Sequence, residues 1–500
     1  MTRDKRFIVD LHIHSHYSRA TSKQLTPESL DYWARIKGVQ VVGSGDISHP
    51  GWLSELREKL EPVEEGLFRL KPAYRSVAEP ADFPAPDNEV RFLLTGEISN
   101  IYKKGGKVRK VHNLVCVPDF ATAGKIQHKL DEIGNVTSDG RPVLGLDSKD
   151  LFDLCLNISD RIMFIPAHIW TPWFSALGAK SGFDSLYECY EELTPLLAAV
   201  EMGLSTDPPM NWMCSFLDDF TLLANSDAHS PEKLGRNATL LASELNYAAI
   251  RDTIISGDER FLGTISFFPQ EGKYHFDGHR KCGVCLNPVE TLRHHGRCPK
   301  CGKPVTVGVA NRVAELSDRA DILQRPNRKP FHSLIPLKEI LGELLGVSEN
   351  SKKVAQAYRE QIRRWGPELD ILMNLPLEVI EGEGDALLAE ALRRMRAGEV
   401  LIREGYDGEY GCIRVFDQGG KVQFPARDRL FDALALRSRG DKRPLLTFDL
   451  TEYRRLLEEK AGSKTADIAS GAEKTEAKGT DREATICSAF NPVQQVDEEP

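Results

Sequence analysis

Short apolar runs that end in histidine or a carboxylate recur through the first half of the chain. Phe7-Ile8-Val9 opens into Asp10-Leu-His12-Ile-His14-Ser-His16, and six later runs follow the same design. Val39 to Val42 leads into Asp46-Ile-Ser-His49, Val90 to Leu94 into Glu97, and Val108 to Val111 into His112. Ile162 to Ile165 leads into His168, Leu196 to Val200 into Glu201, and Phe220 to Ala224 into Asn225-Ser-Asp227-Ala-His229. Each run reads as a buried strand. Helical patterns stand between the strands. Pro27 to Ile36 is expected to start on Thr26 as N-cap and to end at Gly38, and Trp52 to Leu60 is a second helix. Residues 62–89 read as an irregular surface excursion. Residues 331–400 are expected to be mainly helical, over Ile335–Leu345, Val354–Trp365 and Ala386–Met395.

The polar ends of the runs carry the chemistry. Side chains two apart on an extended chain point the same way, so His12 and His14 project together. Strands of a parallel barrel present their reactive groups at their C-terminal ends. Buried strands that merely stop at turn residues would end in Gly, Asn, Ser or Pro, with no preference for His. A metal centre is therefore expected. Between the Glu97 and His112 runs, Tyr102-Lys-Lys-Gly-Gly-Lys-Val-Arg-Lys110 reads as a hairpin turning at Gly105-Gly106. Its Lys103, Lys104, Lys107, Arg109 and Lys110 are expected to contact phosphates, against the plainer reading of a solvated turn. Trp170 and Trp173 either stack on bases or form core.

A second metal motif is Cys282-x-x-Cys285 followed by Cys298-x-x-Cys301, a zinc-ribbon spacing that predicts one structural Zn²⁺ held by four thiolates. His279, His294 and His295 are expected on the surface beside it. Residues 271–331 hold about twelve Lys and Arg against about six acids, although the whole chain carries −9. At 500 residues the chain exceeds a single core. The pattern divides it into a catalytic barrel (1–270), a zinc module (271–330), a helical or mixed domain (331–460) and a disordered tail (461–500). No run reaches the length of a membrane span, and six scattered cysteines beside the zinc motif suggest a cytoplasmic protein without a disulfide framework.

The order His-x-His, Asp/His, Glu, His, His and Asp-x-His resembles the PHP (polymerase and histidinol phosphatase) superfamily of metallophosphoesterases. The chain is more closely similar to the endonuclease Q family in Arg19-Ala-Thr-Ser22, Asp46-Ile-Ser-His-Pro-Gly51, Glu97-Ile-Ser-Asn-Ile-Tyr102, Pro166-Ala-His-Ile-Trp-Thr-Pro-Trp173 and Asn225-Ser-Asp-Ala-His229. The likeness spans residues 1–415. It implies an α/β fold, a distorted (β/α)7 PHP barrel, and two or three divalent transition metals (Zn²⁺, Mn²⁺ or Fe²⁺). His12, His14, Glu97 and Asp227 would hold one metal. Glu97, His112 and His168 would hold a second, and His49 with His229 a third, helped by Asp46 or His16. Asp227, Glu97 and Asp46 are the implied catalytic residues, with Glu201 behind the ligands. The implied activity is nicking of DNA, double- or single-stranded, on the 5′ side of deaminated bases (uracil, hypoxanthine, xanthine) or abasic sites. A nucleoid-associated location and a helicase or sliding clamp as further partner are expectations of the same kind. Phe490-Asn-Pro-Val-Gln-Gln495 faintly resembles a helicase element that lacks its ATPase motif here. The rival readings are a PHP-type phosphatase of small phosphomonoesters and a non-catalytic DNA-binding scaffold.

Overall fold

The computed structural model describes residues 6–319, 321–416 and 445–460. The expectations for the tail from residue 461, Phe490–Gln495 included, lie outside them.

Alternation along the apolar runs builds two cores. From strand β1 (Arg6–Asp10), Phe7 and Val9 enter an inner cluster together with Leu11. Val41 of β2 (Val41–Gly43), Leu93 of β3 (Arg91–Lys104), Leu114 and Cys116 of β4 (Lys107–Val117) and Met163 and Ile165 of β5 (Met163–Pro166) join it. Ile8, Val42, Leu94 and Phe164 face the other way, into an outer cluster shared with the helices. This is the two-residue period of a sheet covered on both faces.

β1, β2 and β3 pair in parallel, whereas β3–β4 and β4–β5 are antiparallel. Backbone bonds carry the path onward. Ala198 N donates to Phe164 O, leading to β6 (Val200–Glu201), which pairs in parallel with β7 (Leu222–Leu223). Ile13 then bridges Ala228, returning the path to the end of β1. On the far side of β1 the sheet continues antiparallel through β8 (Ala238–Ala242) and β9 (Phe261–Phe267), then in parallel to β10 (Phe331–Leu334).

Local signals behave as the sequence predicts at α1 (Pro27–Lys37): the Thr26 side chain accepts from Ser29 N, and Gly38 closes the helix at φ +84°. The β3–β4 hairpin turns at Gly105 and Gly106, both at positive φ. Residues 62–89 correct the expectation of a plain loop. Leu60–Pro62 and Phe68–Leu70 form a hairpin that joins the sheet at Phe92, because Leu60, Phe68 and Leu70 find apolar cover.

The C-terminal region is helical: α2 (Leu337–Leu345), α3 (Lys352–Trp365) and α4 (Ala386–Ala397) share the outer core with the sheet. Lys37 of α1 lies 2.5 Å from buried Glu368, which also accepts from Tyr358 at 2.6 Å. Burial alone would raise the Glu368 pKa, but the Lys37 ammonium together with hydrogen bonds from Tyr358 and Leu337 N outweighs it and keeps the carboxylate charged. The whole is a mixed α/β fold with a large central sheet and a helical C-terminal region. Among the described residues no helix is long and apolar enough to cross a membrane.

Candidate metal centre

Glu97 lies within β3, and the antiparallel register sets His112 of β4 opposite Ser99, two residues along. His168 follows β5 and lies opposite the same carboxylate. Glu97 Oε1 stands 2.7 Å from His112 Nδ1, 3.0 Å from His168 Nε2 and 3.5 Å from His12 Nε2. Glu97 Oε2 stands 3.5 Å from His14 Nε2. Asp227, delivered after β7, places Oδ1 at 3.0 Å from His14 Nε2 and 3.6 Å from His229 Nδ1. The donor atoms form three compact groups: His12, His14 and Glu97; Glu97, His112 and His168; and His14, Asp227 and His229.

The ligand-bearing rings are oriented from behind. His12 Nδ1 donates to Glu201, 2.8 Å from Oε2, and Glu201 also accepts from His168 N at 2.9 Å and Asn225 Nδ2 at 2.9 Å. Asp46 plays the same part for His14, at 3.3 Å from Nδ1, while Ser15 and Ser18 bond its other oxygen. A carboxylate behind a histidine fixes its tautomer and raises its basicity. Asp46, His168 and Asp227 all adopt positive φ, at 51°, 28° and 46°. Such conformations cost roughly 1–3 kcal/mol each and persist where the surroundings enforce them. At His168, Gly203 leaves the necessary room; a Cβ there would stand 2.6 Å from the His168 Cβ.

The donor set suits transition metals. With Nδ1 engaged by Glu201, His12 turns its Nε2 toward the Glu97 and Asp227 oxygens, and that buried Nε2 makes no hydrogen bond among the described residues. Burial alone would lower the His12 pKa, but Glu201 and Glu97 outweigh it and raise it well above its usual value, so the pocket favours positive charge there, a proton or a metal cation. Burial alone would raise the Glu97 pKa, but its neighbours His112, His12 and Arg141 together hold it well below the usual carboxylate range. Asp227 behaves likewise, with His14, His12 and His229 outweighing burial. His112 is driven down to about 4, chiefly by burial, which leaves its imidazole neutral and able to offer a lone pair to a metal.

A family model described as the MJ0043 C-terminal domain matches residues 336–399. The uncharacterized protein MJ0043 of Methanocaldococcus jannaschii is 31% identical over 284 residues, which cover 54% of this chain and 35% of that protein. The uncharacterized protein YqxK of Bacillus subtilis is 28% identical over 431 residues, covering 82% of this chain and 100% of YqxK. The crystal structure of the lesion-specific endonuclease PfuEndoQ from Pyrococcus furiosus superposes with a TM-score of 0.72 at 29% identity, covering 84% of this chain and 98% of that one. Endonuclease Q in complex with a 27-mer duplex substrate bearing an abasic lesion superposes with a TM-score of 0.71 at 30% identity, over 84% and 99% of the two chains. The chain belongs to the endonuclease Q family.

Several of the family's implied residues stand elsewhere than expected. His49 caps the helix Pro50–Lys59: its Nδ1 accepts from Trp52 N at 3.3 Å and its Nε2 meets Thr137 O at 3.1 Å. Both ring nitrogens are engaged and His49 joins none of the metal groups. His229 takes the third position with His14 and Asp227, and His16 pairs instead with Glu55 at 2.9 Å. Asp46 stands behind His14 rather than among the groups. Trp170 is core, fully buried with Nε1 donating to Asn211 at 2.7 Å, whereas Trp173 is 43% exposed. In the basic hairpin, Lys104 is spent on Asp147 and Glu191, and buried Arg109 lies over the Phe183 ring at 4.0 Å. Lys110 lies over Phe174, and Lys103 and Lys107 stay exposed.

The chain also holds a residue that the strand-end pattern missed. Arg141 places Nη1 at 3.2 Å from Glu97 Oε2. It follows Gly140 in a loop with no apolar run before it, so periodicity gives no signal there. In the cysteine module, Cys282, Cys298 and Cys301 gather with His279, whose Nδ1 is 3.6 Å from Cys301 Sγ. Cys285 lies on the strand Val284–Leu286, whose flanking Val284 and Leu286 face the small core; Cys285 faces outward. His279 therefore stands within reach of the thiol cluster.

Proposed function

We propose that the protein is a metal-dependent endonuclease that hydrolyses DNA on the 5′ side of a deaminated base or an abasic site. The observation that carries this reading is the convergence of His12, His14, Glu97, His112, His168, Asp227 and His229, delivered by five strands or the segments that follow them, into three adjoining groups. The likeness to an endonuclease Q whose solved complex holds a duplex with an abasic lesion supports it. We read the seven-strand path as the distorted PHP barrel within residues 1–270. Residues 271–330 are then a zinc module and residues 331–460 a helical domain.

The three ligand groups would hold two or three Zn²⁺, Mn²⁺ or Fe²⁺ ions. Bound there, divalent cations acidify water and neutralise charge developing on phosphate. The chain's own residues do the rest. Glu201 and Asp46 hold His12 and His14 in the tautomers that leave Nε2 unprotonated. Arg141, half-buried against Glu97, offers guanidinium donors to a non-bridging phosphate oxygen. Exposed Lys103 and Lys107 suit flanking phosphates. Lesion choice follows from eversion, which costs least where a base is mispaired or missing. A helicase or clamp partner and a cytoplasmic location rest on sequence alone.

The test is incubation with end-labelled duplexes carrying uracil, hypoxanthine, an abasic site or no lesion, with Mn²⁺, Mg²⁺ or Zn²⁺ and with chelator. Metal-dependent nicking confined to lesions is expected, with Asp227→Ala folded but inactive. Hydrolysis of a phosphomonoester with DNA left intact would establish the phosphatase instead, and DNA binding without turnover would establish the scaffold.

A further inference from the structure

We infer that Trp173, Tyr274 and Tyr410 form an aromatic rim beside the metal centre, on which unpaired nucleobases at a lesion stack. The inference rests on the nuclease reading and adds to it the surface that receives the bases.

Trp173 is fixed to the site at two points. Thr171 Oγ1 donates to Trp173 O at 2.9 Å and lies 3.2 Å from His168 Nδ1. The next carbonyl, that of Phe174, accepts from His112 N at 3.2 Å, and the Phe174 ring packs on the His112 ring at 4.8 Å. The Trp173 backbone is thus tied to two histidines of one ligand group, yet its indole is left 43% exposed. Trp170, three residues earlier in the same loop, is fully buried. The fold therefore had cover for an indole here and left Trp173 outside it.

Tyr274 meets the Trp173 ring edge to face at 6.1 Å. The Lys273 ammonium stands 5.9 Å from the centroids of both Tyr274 and Tyr410, joining the two rings through one cation. Tyr410, 64% exposed, sits on the turn between the strands Leu401–Arg403 and Cys412–Arg414. That turn is held tightly: Gly405 N donates to Gln270 O, Gly408 N to Lys273 O and Gly411 N to Glu271 O, at 2.8, 2.9 and 3.0 Å.

Exposed aromatic faces flanked by a cation match the chemistry of unpaired DNA, in which every base offers a π-face and every linkage an anion. A small phosphomonoester would use none of these rings. Bases beside a lesion are the ones available, because their unstacking costs least.

The test uses the full chain in the cleavage-blocked Asp227→Ala background, with a fluorescent duplex carrying an abasic site and 2-aminopurine opposite it. Binding is read by anisotropy and stacking by 2-aminopurine quenching. Trp173→Leu and Tyr410→Leu, which keep bulk but lose the π-face, are expected to weaken binding roughly 5- to 100-fold and to relieve the quenching. Trp173→Phe and Tyr410→Phe are expected to retain both. Leucine variants that bind and quench like the parent would overturn the inference, provided the unmutated chain nicks lesioned DNA. An unmutated chain that neither nicks nor binds lesioned DNA would overturn the nuclease reading itself, and the rim with it.

Discussion

Glu201→Gln tests whether the metal centre depends on the carboxylate behind it. Glu201 takes two donors on Oε2, His12 Nδ1 at 2.8 Å and His168 N at 2.9 Å, and one on Oε1, Asn225 Nδ2 at 2.9 Å. Glutamine can keep an oxygen where Oε2 stood, but its own NH₂ then opposes the NH₂ of Asn225. Asn225 cannot flip to relieve the clash, since its Oδ1 accepts from Leu11 N at 2.8 Å. A buried donor left unmatched costs about 1–3 kcal/mol of stability. The bond to His12 also falls from charge-assisted to neutral, which weakens the ligand behind which it stands. Loss of such a partner lowers metal affinity roughly 10- to 100-fold. The assay is a Mn²⁺ titration of nicking on a duplex with an abasic site, alongside chemical denaturation. The half-saturating Mn²⁺ concentration should rise by roughly that factor, with much of the maximal rate recovered at saturation. A variant with an unchanged Mn²⁺ requirement and unchanged stability would refute the argument that Glu201 sets the His12 tautomer and its metal affinity.

His49→Ala should behave as loss of a helix cap: stability falls by about 1 kcal/mol in denaturant unfolding, while the barrel's metal content by elemental analysis stays that of the parent. A fall in bound metal would restore His49 as a ligand. In the cysteine module, His279→Ala and Cys298→Ser should each release zinc to a chromogenic chelator, whereas Cys285→Ser retains it. Zinc release from Cys285→Ser with retention in His279→Ala would restore the four-thiolate arrangement.

What the sequence determined by itself is what neighbours along the chain decide. Alternating apolar residues specify strands with two faces. Thr26, Pro27 and Gly38 bound a helix whatever surrounds it, and Gly105-Gly106 turns a hairpin because adjacent residues at positive φ need glycine. The polar ends of the runs named His12, His14, Glu97, His112, His168, Asp227 and His229, all of which converge. Tertiary structure decided the rest, because it turns on which remote groups share a space. His49 and His229 look alike as strand-end histidines, but one is consumed by the Trp52 amide and the Thr137 carbonyl while the other faces Asp227. Arg141 enters from a loop without periodicity, and Trp170 and Trp173 part ways through contacts with Asn211 and Tyr274. Lys104 and Arg109 lose their availability to Glu191 and Phe183, which lie beyond residue 180. Periodicity is a property of a segment; convergence is a property of closure, and closure joins residues such as Ile13 and Ala228 that no local pattern relates.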